Sequence, residues 1–378
     1  MAHFVEVSAR LRRFREAFMS LGIDAFVVRD TSNIAWLTGF EGVFDEEQAH
    51  CLLVNRQIAF LHTDSRYSEA CKTSAEDAPI EVDDSVCGHA DWVATELESL
   101  YGSRGLPINV AVEDTLTLRD FRAFEDALYA LSFTVDLLPL RDTVLALRGV
   151  KSPWEIQRLR EAQAITDACF AHIRAYVKPG MTELQIAREM DRFMFDAGAD
   201  DLAFPTIVAT GPHASSPHAQ PGLAKVQEGD CIVMDFGAKV AGYCSDMTRC
   251  LFVGEPSEKL RRAYETLRRA NEGAEAMLRA GVTGAEAHNE ALLILEEGGF
   301  GGLMGHSLGH GVGMLIHEEP CLSPRNEKPL EAGNVVTVEP GIYVPGEFGM
   351  RLEDFGVICD TGYEVFTQSD HSLVIIAS

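Results

Sequence analysis

Cys231-Ile232-Val233-Met234-Asp235-Phe236-Gly237 is an apolar run that abruptly admits an aspartate, and Tyr243-Cys244-Ser245-Asp246-Met247-Thr248 follows it closely. The first run has the length and composition of a buried strand. If residues 239–242 turn the chain, Asp235 and Asp246 face each other across a hairpin centred on Val240-Ala241. Val-Ala suits a two-residue primed turn poorly, so a longer loop or a bulge using Gly242 is expected.

The same form recurs downstream. Val335-Val336-Thr337-Val338-Glu339-Pro340 is apolar and β-branched until it meets an acid, and Met350-Arg351-Leu352-Glu353-Asp354 answers it. The turn-rich stretch Pro345-Gly346-Glu347-Phe348-Gly349 lies between, so Glu339 and Glu353 are expected to face each other about Gly346. Helices precede both pairs. Gly180-Met181-Thr182 opens one that closes at Ala197-Gly198; Gly281-Val282-Thr283 opens another, 101 residues on, that closes at Gly298-Gly299. The acid pairs are offset by 104 and 107 residues. These matches in order predict a duplicated α+β half, the two copies facing one another across a site.

Taken singly, each acid reads as a residue on the wet face of a strand. As a set they read differently. Four carboxylates gathered together cannot all stay ionised, because like charges at short range force protonation. Two divalent cations would balance them. Oxygen-rich ligation favours Mn²⁺, with Co²⁺ or Zn²⁺ as alternatives if an imidazole joins. His310 supplies one, in Gly305-His306-Ser307-Leu308-Gly309-His310-Gly311-Val312-Gly313, where glycines mark close backbone approach. His317 follows in His317-Glu318-Glu319-Pro320, and His218 closes Gly211-Pro212-His213-Ala214-Ser215-Ser216-Pro217-His218. His213 reads as a loop residue.

The first part of the chain alternates helices and strands. Val7, Leu11, Phe14, Phe18 and Leu21 form one apolar helix face closed by Gly22. Strands are expected at 24–28, 51–55, 57–62, 108–112 and 133–140, and helices at 91–101 and 118–131, which implies a layered α/β domain. Ser152-Pro153-Trp154-Glu155 is a capping box that opens a long helix running to about Val177. The boundary is therefore expected near residue 150, giving domains 1–148 and 149–378. A length of 378 residues fits two domains at roughly 100–200 residues each.

The formal charge of −26 disfavours phosphate backbones and anionic membranes, so neither nucleic acid nor membrane is an expected partner. No apolar run approaches the ~20 residues of a membrane span. Nine scattered cysteines without a C-x-x-C fit reduced thiols in a cytoplasmic protein.

Phe204-Pro205-Thr206-Ile207-Val208-Ala209-Thr210-Gly211, Pro217-His218, Met234-Asp235-Phe236-Gly237-Ala238, Ser245-Asp246-Met247-Thr248-Arg249, Gly309-His310-Gly311-Val312-Gly313, His317-Glu318-Glu319-Pro320, Val338-Glu339-Pro340-Gly341-Ile342-Tyr343 and Arg351-Leu352-Glu353-Asp354 resemble, in order, the signature blocks of the Xaa-Pro peptidases. These are aminopeptidase P and prolidase, of the pita-bread metallopeptidase family. Thr31-Ser32-Asn33-Ile34-Ala35-Trp36-Leu37-Thr38-Gly39-Phe40 and Leu61-His62-Thr63-Asp64-Ser65-Arg66-Tyr67 are similar to the creatinase-type N-terminal domain that accompanies them.

The resemblance implies hydrolysis of the bond between a first residue and a following proline by a metal-bridging hydroxide, as an aminopeptidase or a dipeptidase. Asp235 would bind one metal, Asp246 and Glu353 would bridge the two, and His310 and Glu339 would complete the other site. Glu339 would also shuttle the proton. His218 and His317 would donate to substrate and oxyanion, His306 would shape the proline pocket, and Arg351 would orient the acids. Short proline-containing peptides are the implied substrates and a homodimer the implied assembly, with a partner's loops around residues 33–40 closing the pocket. A creatinase-type amidinohydrolase shares the fold but lacks the full ligand set. A metal-free binding module, the rival from another class, would also lose those ligands. Methionine aminopeptidase usually lacks a long N-terminal domain of this type.

Overall fold

The computed structural model describes residues 2–45 and 47–377, and the chain divides into two compact units, Met1–Arg148 and Gly149–Ser378. The first unit runs α1 (Ala2–Ser20), β1 (Ala25–Val28), α2 (Thr31–Thr38), β2 (His50–Asn55), β3 (Ala59–Thr63), α3 (Ser68–Ala75), β4 (Glu81–Asp83), α4 (His89–Tyr101), β5 (Ile108–Glu113), α5 (Leu118–Tyr129), β6 (Val135–Leu140) and α6 (Thr143–Arg148). Its mixed sheet has the order β4-β3-β2-β1-β5-β6. Successive strand residues point to opposite faces. Ala25 and Val27 accordingly pack with Trp92, Leu97, Phe124 and Leu128 of α4 and α5. Phe26 turns the other way and meets Phe14 and Phe18 of α1, at ring-centroid distances of 5.0 and 6.0 Å. Helices therefore cover both faces in a three-layer α/β arrangement.

Val7, Leu11, Phe14 and Phe18 are fully buried, as their spacing predicts. Leu21 departs from that reading: α1 ends at Ser20, Gly22 takes φ +77°, and Leu21 is left 61% exposed. The helix stops before its periodicity can carry that residue round to the core.

The second unit opens with α7 (Pro153–Tyr176), whose Ser152 and Glu155 exchange both hydrogen bonds of the capping box. It continues through α8 (Glu183–Asp196), β7 (Asp201–Leu202), β8 (Ile207–Thr210), β9 (Cys231–Phe236), β10 (Ala238–Val240), β11 (Tyr243–Cys244), β12 (Met247–Val253), α9 (Glu258–Met277) and α10 (Gly284–Glu297). Then come β13 (Gly309–Gly311), β14 (Glu318–Leu322), β15 (Val335–Val338), β16 (Gly341–Val344), β17 (Phe348–Arg351), β18 (Asp354–Ile358), β19 (Tyr363–Val365) and β20 (Val374–Ile376).

The duplication is visible in the sheets. One has the order β20-β12-β9-β8 and the other β14-β13-β15-β18-β19, so β8-β9-β12 and β13-β15-β18 repeat one antiparallel pattern. Thr182 and Thr283 each cap the matching helix with a complete capping box. Ile186, Met190 and Met194 of α8 pack with Ile232 and Met234 of β9; Ala287, Ala291 and Leu295 of α10 share a core with Val336 and Val338 of β15.

The two acid hairpins differ in register. Gly341 pairs Arg351 and Val344 pairs Phe348, while Val338 pairs Asp354, so the ladder runs about Gly346 and leaves Glu339 opposite Glu353. The expectation for Asp235 and Asp246 is not met. Asp235 pairs Thr248, and Asp246 precedes β12, beyond the paired residues. The reason lies at the tip: Lys239 pairs Cys244 and Val240 pairs Tyr243, leaving a two-residue loop of Ala241 and Gly242 at φ +49° and +82°. Both angles are those of a primed turn. The turn centre is thus one residue later than Val240-Ala241, and each residue's partner shifts accordingly. Continuing the ladder makes Asp246 a diagonal neighbour of Asp235, which keeps both acids on one face.

Candidate metal centre

Each half delivers its acids from the mouths of its strands. Asp235 stands near the end of β9 and Asp246 just ahead of β12; Glu339 follows β15 and Glu353 precedes β18. The halves are stitched together here, since the Glu353 N–H donates to the Thr248 carbonyl at 3.1 Å. Asp246, His310 and Glu353 each present a ligand atom within 4.8 Å of the others.

His310 shows what this convergence demands. Its Nδ1 lies 3.0 Å from the Gly311 carbonyl, which can only accept, so Nδ1 carries the proton. Burial and the neighbouring His317 push its pKa down to about 4, so the ring is neutral near pH 7. Nε2 then offers a lone pair. It faces Asp246 Oδ2 at 3.6 Å and Glu339 Oε1 at 3.4 Å. Acceptors converging in this way are relieved either by protonating a carboxyl group or by a cation placed among them.

The acids carry the same strain. Burial, then Glu353, Asp235 and Glu339, raise Asp246 well above the carboxylate range; burial, Glu339 and Asp235 do likewise for Glu353. Burial, with Asp235 adding to it, lifts Glu339 to about 8 although the Arg351 guanidinium opposes the rise. Asp235 Oδ1 is buried with no hydrogen-bond partner among the described residues.

Neighbouring side chains fix the oxygens that do have partners. Arg351 Nη2 pairs with Asp235 Oδ2, its Nε donates to Thr248 Oγ1 at 3.0 Å, and its Nη1 donates to the Tyr343 hydroxyl at 2.9 Å. The Thr248 hydroxyl in turn donates a hydrogen bond to Glu353 Oε2 at 2.7 Å. His306 Nδ1 donates to the Ser307 carbonyl at 2.8 Å, so the Tyr343 hydroxyl donates to His306 Nε2, 3.1 Å away. The acids, His310 and Arg351 line a cleft of about 570 Å³ together with His218, His306 and His317. His218 and His317 are exposed within it, and His317 stands edge-on to His310 with centroids 4.4 Å apart. All nine side chains singled out in the sequence therefore reach one cleft.

The glycines around His310 serve the neighbouring strands. A Cβ on Gly309 would lie 2.0 Å from the Thr337 carbonyl, and one on Gly311 would lie 2.5 Å from that of Glu319. Thr248 and Tyr343 were absent from the set of expected site residues. The Gly346-centred register could have found Tyr343, which lies diagonally across from Arg351 on the β16–β17 hairpin; Thr248 is the ladder partner of Asp235 only in the shifted register that the sequence did not predict.

Comparison with known proteins fits this geometry. Residues 157–360 match the model of metallopeptidase family M24, and residues 10–150 match that of the creatinase/prolidase N-terminal domain. The chain belongs to metallopeptidase family M24. An uncharacterized peptidase of Bacillus subtilis, YqhT, is 35% identical over 97% of this M24 chain and 100% of its own. A solved Xaa-Pro dipeptidase from Bacillus anthracis shares 35% identity at a TM-score of 0.90, covering 98% of this chain and 100% of that one. A solved X-Pro aminopeptidase from Thermotoga maritima shares 33% at 0.84, covering 96% and 100%. The fold is thus the pita-bread catalytic domain with its N-terminal companion, and the M24 chain is a metallopeptidase. Membership implies divalent metal ions. The donor set fits them, as the orphaned Asp235 Oδ1 and the lone pair of His310 both offer electrons to a cation. Among the described residues no helix is long and apolar enough to cross a membrane.

Proposed function

We propose that this metallopeptidase hydrolyses the bond between an N-terminal residue and a following proline in short peptides, as an Xaa-Pro dipeptidase or aminopeptidase. The observation that carries the reading is the convergence of the His310 Nε2 lone pair on Asp246 and Glu339 inside a cleft that also holds His218, His306, His317 and Arg351. The likeness to a solved Xaa-Pro dipeptidase and a solved X-Pro aminopeptidase supports the proline preference.

Asp235, Asp246, His310, Glu339 and Glu353 would hold two divalent ions. Their oxygen-rich set with a single imidazole favours Mn²⁺ over Co²⁺ or Zn²⁺. Bound there, such ions supply an acidified water and an electrophile for the carbonyl oxygen. Glu339 takes the proton from the attacking water and returns it to the leaving nitrogen as the C–N bond breaks. His218 and His317, exposed in the cleft, donate to the substrate carbonyl and to the negative charge that develops on its oxygen. His306, held by Tyr343, shapes the proline end of the cleft. Arg351 holds Asp235 and the Thr248–Glu353 pair in place.

The test compares turnover of Ala-Pro, Ala-Pro-Pro and Met-Ala-Ser with added Mn²⁺, Co²⁺ or Zn²⁺. Cleavage restricted to the proline peptides is expected, fastest with Mn²⁺. Preferred cleavage of Met-Ala-Ser would overturn the proline assignment. The homodimer implied by the resemblance is tested by light scattering, where a fully active monomer would refute it.

A further inference from the structure

Glu183 is a fully buried carboxylate outside the metal cluster. It is the first residue of α8, directly after the Thr182 cap, where the helix N-terminus favours negative charge. Its partners all come from a single neighbouring segment. Thr210 N–H donates to Oε1 at 2.9 Å, and Gly222 N–H donates to Oε2 at 2.9 Å. His213 Nδ1 donates to the same carboxylate, at 2.8 and 2.9 Å from its two oxygens. One carboxylate therefore clasps both ends of residues 210–222 and a point near their start.

That segment supplies much of the cleft wall. Pro217, His218, Ala219, Gln220 and Pro221 line the cleft, all between the two clasped amides. Its middle is held separately, where Arg351 Nη1 donates to the Pro217 carbonyl at 3.2 Å. His218 itself is exposed in the cleft, so its placement depends on the backbone that carries it. We propose that Glu183 is a positioning residue for His218: it fixes the two ends of the loop so that Arg351 can seat the middle beside the acid cluster. The inference rests on the reading in which His218 acts on the substrate.

The test is a double-mutant cycle with Glu183→Gln and His218→Ala, read as kcat/KM on Ala-Pro at matched metal content. The amide presents one oxygen and an NH₂, so it cannot accept from Thr210 and Gly222 alike. Glu183→Gln is expected to lower kcat/KM at least roughly tenfold, since small misplacements are costly. In the His218→Ala background the same substitution should change it less than about twofold, because a group acting through His218 has nothing left to place. Equal losses in both backgrounds would overturn the inference and leave the proposed function standing. Unchanged turnover in His218→Ala alone would instead refute the role of His218, and the inference with it.

Hydrogen exchange gives a readout independent of turnover. Thr210 and Gly222 amides should exchange faster in Glu183→Gln while β9 and β12 keep their protection; unchanged exchange at both amides would overturn the inference. If Glu183→Gln does not fold, His213→Ala takes its place, because His213 is 40% exposed and supplies one of the donors. It should show the same dependence on His218 with a smaller loss, and a loss that ignores His218 would overturn the inference.

Discussion

At the scale of the residue, the centre crowds four carboxyl groups and a neutral imidazole around a single guanidinium. Replacing Asp246 with alanine removes a ligand atom from the group it forms with His310 and Glu353. Turnover of Ala-Pro should fall by roughly 10³-fold or more, given the several kcal/mol a catalytic cation contributes, while circular dichroism stays unchanged. Thr248→Val is the subtler change. It keeps the shape but deletes the hydroxyl that receives Arg351 and donates to Glu353. Loss of such an outer partner typically costs about 10–100-fold in metal affinity, which calorimetric titration of the stripped protein would measure. That Asp235 and Glu339 would reach the cleft was legible because an acid ending an apolar run is conspicuous, and His310 stood out by its flanking glycines. Thr248 was not legible, since threonine in a strand needs no explanation. Glu183 escaped for a different reason: an acid after a helix cap reads as ordinary dipole chemistry.

At the scale of the element, the tip of the β10–β11 hairpin decided how far the sequence could be read. The Gly346 hairpin followed its expected register because a glycine at φ +74° sat where the turn needed it. The other tip places Ala241 at φ +49°, a position the composition argued against. The strain implies a remedy. Ala241→Asn would create Asn-Gly, the preferred pair for such a turn, and should stabilise the protein by about 1 kcal/mol, given the ~1–2 kcal/mol cost of left-handed backbone in ordinary residues. An unchanged or lower denaturation midpoint would contradict this. Helix entry was readable to the residue, because Ser152, Thr182 and Thr283 all form the capping boxes their sequences spell. Thr283→Ala should accordingly cost about 1 kcal/mol, as measured by urea denaturation.

At the scale of the whole molecule, each unit carries a response of its own. In the first unit His50 is fully buried, with Nδ1 2.8 Å from Thr63 Oγ1. Burial pushes its pKa from 6.5 down to about 4, although Asp64 and Asp45 pull it upward. The unfolded chain therefore binds the proton more readily than the folded one. The stability tied to this group is present above pH 6.5 and is lost as pH falls toward 4. His50→Gln should flatten the slope of stability against pH across that window, and an unaltered slope would refute the assignment. In the second unit, saturating metal should raise the unfolding free energy by about 4 kcal/mol at a thousandfold excess over Kd; scanning calorimetry with and without chelator would read it. The layered N-terminal architecture and the doubled catalytic half were both legible as alternations and offsets along the chain. The stitching of one half to the other was not, because a backbone contact such as Glu353 to Thr248 leaves no mark on composition. That separation along the chain shapes how the ion arrives. A finger-type loop can gather its ion while still a coil, because its donors are near neighbours. Here Asp235 and Glu339 are 104 residues apart, and the sheets that carry them share one packed core, in which Val233 of β9 joins Val336 and Val338 of β15. A cation would therefore be a late passenger boarding a finished vessel, and stripping it should leave a protein that is idle but still afloat.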